Sequence, residues 1–132
     1  YTLVLTNSEN CESPDAEQRS IAEPAALSID SAVETGVTCN GASDGSVAVT
    51  VSGGVSGTEY TLTWSGAGTG SLGPQTSGSF AVPSLVAGDY SFVLTNSENC
   101  PQASDDATVT APAALAIGAI TSTPVSCFDF CT

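Results

Sequence analysis

Three sets of side chains in this sequence are of types that do chemistry: a serine between glycines, a scatter of carboxylates and five cysteines. Gly41-Ala42-Ser43-Asp44-Gly45 fits the G-x-S-x-G pattern in which a hydrolase presents its nucleophile on a strand-to-helix turn. That serine needs a base to take its proton, and the chain has neither His nor Lys. The next residues alternate Ser or Thr with Val, which suits a strand and not a helix. The segment reads as a tight loop in which the two glycines supply positive φ. Asp105-Asp106 are the obvious pair for acid/base work, but neighbours on the approach to a strand point to opposite faces. With Arg19 as the only cationic side chain, nothing is at hand to bind a substrate's charge. The residues predict a protein that is not an enzyme.

Calcium is the one metal the carboxylates allow. Asp44, Asp89, Glu98, Asp105 and Asp106 fall in expected loops, and hard oxygen ligands at loop ends suit Ca²⁺. The dense DxDxDG pattern of a dedicated calcium loop is missing, and solvated loop acids are the commoner case. No other cofactor is expected. Five cysteines without a histidine rule out a mixed zinc site, and an all-cysteine site would want paired CxxC spacing. Ser/Thr-rich strands with almost no cations favour disulfides outside the cytoplasm.

The formal charge is −13, from 14 acidic residues and a single basic one. A nucleic acid needs several cations to neutralise its phosphates, and an anionic membrane surface would repel the chain. Both are excluded as partners. No run of about 18 apolar residues occurs, so direct membrane insertion by a helix is excluded too. The 41% hydrophobic content, with Val, Leu, Ile and Phe alternating with Ser and Thr, separates this acidic chain from a disordered one.

The elements that position these residues are set by a repeat. Residues 1–11, YTLVLTNSENC, return as residues 90–100, YSFVLTNSENC, with changes only at Thr2/Ser91 and Leu3/Phe92. Residues 23–29 match 111–117, and 36–39 match 124–127. The offset is 89 early and 88 later, so one residue is lost between. Internal repetition on this scale means an array of units, each with its own core. The Pro-Ala-Ala segments punctuate the array. Residues 1–24 read as the C-terminal part of a preceding repeat and 25–112 as one complete unit. Residues 113–132 read as the start of a following repeat or of a different domain.

Within the unit, period-two alternation dominates. Runs at 46–52, 60–65, 79–83, 90–95 and 107–111 are expected strands, with Val47, Val49, Val51, Leu62, Phe92 and Leu94 inward. Gly53-Gly54, residues 66–78 and Ala87-Gly88-Asp89 are expected turns. Residues 13–22 could make one helical turn or a loop. The pattern predicts an all-β fold, an immunoglobulin-like antiparallel β-sandwich in tandem repeats of about 88 residues, with Trp64 at the core centre.

Cys39 and Cys100 are the two cysteines inside the complete unit, which makes them the economical disulfide. That pair needs its two loops at one end of the sandwich, and hence no strand within residues 66–78. The rival scheme joins Cys11 to Cys39 and Cys100 to Cys127. Cys127 and Cys131, which enclose Phe-Asp-Phe, could bridge locally or join distant partners.

The unit resembles the SprB repeat family. The likeness rests on Val37-Thr38-Cys39-Asn40-Gly41-Ala42-Ser43-Asp44-Gly45, then Gly53-Gly54, Tyr60 to Trp64, Leu85-Val86-Ala87-Gly88-Asp89-Tyr90, Asn99-Cys100 and Thr108 to Pro112. It covers about residues 25–127. Two departures stand out: CFDFCT lies where CNGASDG would recur, and Asn99 takes a place where the family often has glycine. The resemblance implies a structural and adhesive segment of a large repetitive surface filament of gliding bacteria. Such filaments are exported by the type IX secretion system, attached to the outer membrane and moved along the cell. The implied partners are neighbouring repeats, the gliding or secretion machinery of the outer membrane, and a polysaccharide or solid substratum. The implied location is the extracellular cell surface. Asp30-Ser31-Ala32 also resembles the O-glycosylation site of these bacteria, which marks Ser31. A carbohydrate-binding module and a passive spacer in a secreted protein are the alternatives.

Overall fold

The computed structural model describes residues 2–4, 6–12, 17–18, 20–55 and 57–123. Among them every regular element is a strand: β1 (Thr2–Leu3), β2 (Glu17–Gln18), β3 (Ala25–Thr35), β4 (Gly45–Gly54), β5 (Tyr60–Gly66), β6 (Gly70–Gln75), β7 (Ser79–Leu85), β8 (Gly88–Asn96) and β9 (Ala103–Val109). β1 and β2 pair with each other. The remaining seven form two antiparallel sheets, ordered β3-β4-β7 and β6-β5-β8-β9. The immunoglobulin-like sandwich expected from the sequence is the fold.

Alternation builds it. In β4 the side chains of Val47, Val49 and Val51 turn inward while Thr50 and Ser52 face water. In β8, Tyr90, Phe92 and Leu94 turn inward. Phe80, Val82 and Leu85 of β7, Leu62 of β5 and Val109 of β9 complete the space between the sheets. Among the described residues the buried core runs from Leu27 to Val109. The Tyr90 hydroxyl donates to the Val86 carbonyl at 3.1 Å, four residues upstream, as in the tyrosine corner of immunoglobulin-like sandwiches.

Several expectations are corrected. β3 is an eleven-residue strand that the alternation did not mark, because register shifts at 25–28 and 29–31 break its period. β6 fills part of the stretch expected to be turn. Its Gly70 lies flat under the Trp64 ring, where a Cβ would come within 2.4 Å of the indole. Trp64 is therefore only half-buried against β6, and the fully buried Leu62 and Phe92 hold the centre instead. The last strand is Ala103–Val109, so Asp105 and Asp106 lie within it, paired with Phe92 and Ser91. Of the residues expected to make a helical turn, 17–18 are extended and 13–16 and 19 lie outside the described residues.

The sandwich has two ends. β3 begins at the leading end, where Ala25 pairs with Gly54, and the loops 57–59, 76–78 and 97–102 lie there. Loops 36–44, 67–69 and 86–87 lie at the trailing end, where β9 finishes beside Gly88. The chain enters at one end and leaves at the other.

Candidate functional site: the two ends of the sandwich

The residues singled out by type sort themselves onto these ends. At the trailing end, the loop between β3 and β4 carries Cys39, Asn40 and Asp44. Asp44 Oδ1 accepts the Thr38 backbone N–H at 3.0 Å and Oδ2 accepts the Thr38 hydroxyl. Those two hydrogen bonds, the hydroxyl first, hold the carboxyl below its ordinary value of 3.8. The Ala42 N–H donates to the Cys39 carbonyl at 3.0 Å, and Gly41 has a φ of 84°. This is the tight loop expected from Gly41-Ala42-Ser43-Asp44-Gly45, and β4 comes directly after it. Gly45 serves differently from the expectation. A Cβ there would approach the Val109 Cγ1 to 2.7 Å and the Leu85 carbonyl oxygen to 2.9 Å, so close packing and not positive φ requires the glycine.

The same loop grips the departing chain. Val37 N–H donates to the Thr110 carbonyl at 2.9 Å, and Asn40 Nδ2 donates to the Pro112 carbonyl at 3.2 Å. Among the described residues, 113–123 have no partner strand. Leu115 and Ile117 are 105% and 88% exposed, whereas Leu27, the counterpart of Leu115, is 8% exposed under β4.

At the leading end, Asn96 Oδ1 accepts the Cys100 N–H at 2.9 Å, and Asn96 Nδ2 donates to the Thr58 hydroxyl at 3.4 Å. Asn99 has a φ of 54°, in the left-handed region. Asparagine tolerates that region better than other residues with a side chain, which explains why it can stand where the related repeats often carry glycine. The first copy repeats the geometry: Asn7 Oδ1 accepts the Cys11 N–H at 2.9 Å, and Asn10 has a φ of 66°.

The Cys39–Cys100 disulfide is not formed, and topology gives the reason. Because β6 exists, five strands separate the two cysteines, and their loops open at opposite ends. β8 alone spans about 26 Å at 3.3 Å per residue, far beyond the ~7 Å limit between bridged Cα atoms. Cys11, Cys39 and Cys100 are all free thiols. Cys127 and Cys131, with the schemes that use them, lie outside the described residues.

The carboxylates do not gather. Asp44 sits in the trailing loop. Asp89 opens β8 and accepts the Thr108 hydroxyl at 2.7 Å. Asp105 and Asp106 are on β9, and Asp105 caps the Asp106 N–H at 3.0 Å. Asp89, Asp106 and Glu34 line one open concavity of about 630 Å³ without converging. Among the described residues, no three His, Cys, Asp or Glu side chains form a group able to hold a metal. Ser31 lies in β3, half-buried, its hydroxyl 2.7 Å from that of Thr50.

Residues 31–69, from the second half of β3 through β4 and β5, match the family model of the SprB repeat. Over that stretch the chain is similar to the SprB repeat. The matched stretch holds the Thr38–Asp44 loop, Gly53-Gly54 at the end of β4, where a turn was expected, and Trp64, three features on which the resemblance rested. No curated protein and no solved structure matches the chain significantly. SprB repeats suggest a repeat module of a large cell-surface or extracellular protein. Sequence reasoning missed the role of Asn96. The signal was present in the duplicated TNSENC, since asparagine four residues before a cysteine in both copies is a side-chain cap for that turn.

Proposed function

We propose that this chain is a structural and adhesive segment of a large repetitive cell-surface filament used in gliding motility and surface attachment. The observation that carries this reading is the repetition of a SprB-type unit whose chain enters and leaves at opposite ends. Units joined that way extend the polymer by one sandwich length per repeat and give it reach. The neighbouring repeats are then its first partners, and the gliding or secretion machinery of the outer membrane and a polysaccharide or solid substratum the next. The role is mechanical and not catalytic. It asks nothing of calcium.

The carbohydrate-binding alternative would need aromatic rings on an open face. Tyr90, Phe92 and Phe80 are buried, and Tyr60 and Trp64 pack half-buried against the core, so no aromatic ring is exposed among the described residues. That favours the filament.

Gold-labelled antibodies raised against this chain test the proposal on living, unpermeabilised cells. Label on surface filaments, together with loss of colony spreading when the repeat region is deleted, is the expected result. Label confined to culture supernatant, with spreading unchanged by the deletion, would replace the filament with a spacer of a secreted protein.

A further inference from the structure

The disulfide within one unit fails on geometry, and the same geometry points to a bond between units. Cys39 is exposed at the trailing end and Cys100 is half-buried at the leading end. β9 stops at Val109, and Ala113 is the counterpart of Ala25, the first residue of β3. Residues 110–112 alone join consecutive units, a span of about 10 Å even when extended. The trailing end of one unit must therefore sit close to the leading end of the next.

The junction is held at the cysteine. Thr110 and Pro112 are bonded to Val37 and Asn40, on either side of Cys39. The chain leaving toward the next unit and the Cys39 loop together line a groove of about 470 Å³, which includes Thr38, Pro112, Ala113 and Leu115. At the leading end the arrangement is complementary. A Cβ on Gly54, the partner of Ala25, would lie 3.4 Å from Asn96 Nδ2, and Asn96 caps Cys100. A junction between two units of this kind would have Cys39 on its near side and Cys100 on its far side.

We propose that consecutive repeats are stapled end to end by a disulfide between Cys39 of one repeat and the Cys100 counterpart of the next. Cys11, the Cys100 counterpart of the preceding repeat, lies at that repeat's far end and is no partner for Cys39. The bond forms by thiol–disulfide exchange. Cys39 as thiolate attacks the disulfide of a glutathione-type oxidant or a thiol–disulfide oxidoreductase and releases one of its sulfurs as a thiol. The Cys100-type thiolate then attacks Cys39 Sγ in that mixed disulfide and releases the second. Two thiols are oxidised, one oxidant disulfide is reduced, and both protons end on the oxidant's sulfurs. A filament stapled this way carries tension through covalent bonds beside each linker.

The test uses two copies of residues 25–112 joined directly, since each copy contains every buried core residue among those described. One variant carries Cys100→Ala in the first unit and Cys39→Ala in the second, which leaves the facing pair. The other carries Cys39→Ala in the first and Cys100→Ala in the second, which leaves the outer pair. Both are first shown to unfold with the parent's transition, and both are then oxidised with glutathione disulfide. The facing pair is expected to close into one intramolecular disulfide free of glutathione, favoured over the outer pair by on the order of 100-fold through effective concentration. The outer pair is expected to end with glutathione on each cysteine. Glutathione on both cysteines of the facing pair, or equal closure of the outer pair, overturns the proposal. Peptide mapping of the tandem with all four cysteines supplies a second reading, and a link within one unit there would overturn it equally. Because this chemistry is read in purified protein, its failure is separate from any failure of the surface-filament reading.

Discussion

The two ends of the sandwich hold their cysteine loops with the same device and different chemistry. At each, a short polar side chain accepts a backbone N–H inside a tight loop: Asn96 for Cys100, and Asp44 for Thr38. The leading end uses a neutral amide and the trailing end a carboxylate. Only the second can respond to pH. The leading device is also local. Asn7 caps Cys11 with the same 2.9 Å bond that Asn96 makes to Cys100. The Asn7 N–H then closes onto the Cys11 carbonyl, whereas Asn96 pairs with Tyr60. Cys100 rests on the core of the complete unit. Turn geometry here is set by a short run of local sequence; packing needs the whole unit.

The change with the largest expected effect breaks both ends at once. Phe92 is fully buried between the sheets, and Phe92→Ala should cost about 3–5 kcal/mol through lost burial and a cavity. A domain stabilised by ~5–15 kcal/mol would be left marginal. Urea unfolding monitored by Trp64 fluorescence measures it. An equally sharp transition at an unchanged midpoint would mean that the core is not shared between the two ends.

Asn96→Ala separates the ends. It removes the cap on Cys100 and the contact with Thr58, for an expected loss of about 1 kcal/mol in the same urea experiment. Asn7→Ala, its counterpart in the first copy, should leave the midpoint of the complete unit unchanged, because every buried core residue among the described ones lies between Leu27 and Val109. Equal losses from both substitutions would show that the first copy contributes to the stability of the second.

How much of this was legible depends on where each signal comes from. β4 and β8 were readable because Val47-Val49-Val51 and Tyr90-Phe92-Leu94 alternate without interruption. β3 was not, because its register shifts place Ile29 and Ser31 out of phase with a simple period. β6 was hidden by composition: Gly70, Gly73 and Pro74 argue for turn, and only the Trp64 ring above Gly70 explains why a strand wants glycine there. That one hidden strand reversed the parity of the topology and moved Cys39 and Cys100 to opposite ends. The carboxylates were individually visible, yet their separation on loop, β8 and β9 depends on the fold and not on spacing.

Missing periodicity at β9 has a physical reason as well. It is an edge strand, and Asp105 occupies the inward-facing series between Ala103 and Ala107. A charge at that place discourages another sheet from adding to the edge. Where such units follow one another this protection matters, since each unit's edge would otherwise be a template for its neighbours. The opposite edge, β6, is guarded by Pro74, which has no N–H to offer.

The smallest expected effect sharpens the comparison most. In the folded chain the Thr38 hydroxyl and N–H hold the Asp44 carboxyl below its ordinary 3.8. A depressed folded value means that the contribution is complete above 3.8 and is lost as pH falls through the folded value. Asp44 is fully exposed, so solvent keeps the contribution small. Asp44→Asn should therefore lower the melting temperature slightly at neutral pH, and the gap from the parent should close in acid. Thermal melts of the two proteins across that range measure the gap directly. Asn96→Ala run beside them should show a gap that does not change with pH, because no proton binds at the leading latch. If both gaps closed together in acid, the trailing loop would owe its hold to the sandwich as a whole, and the carboxylate would lose its claim to be the latch.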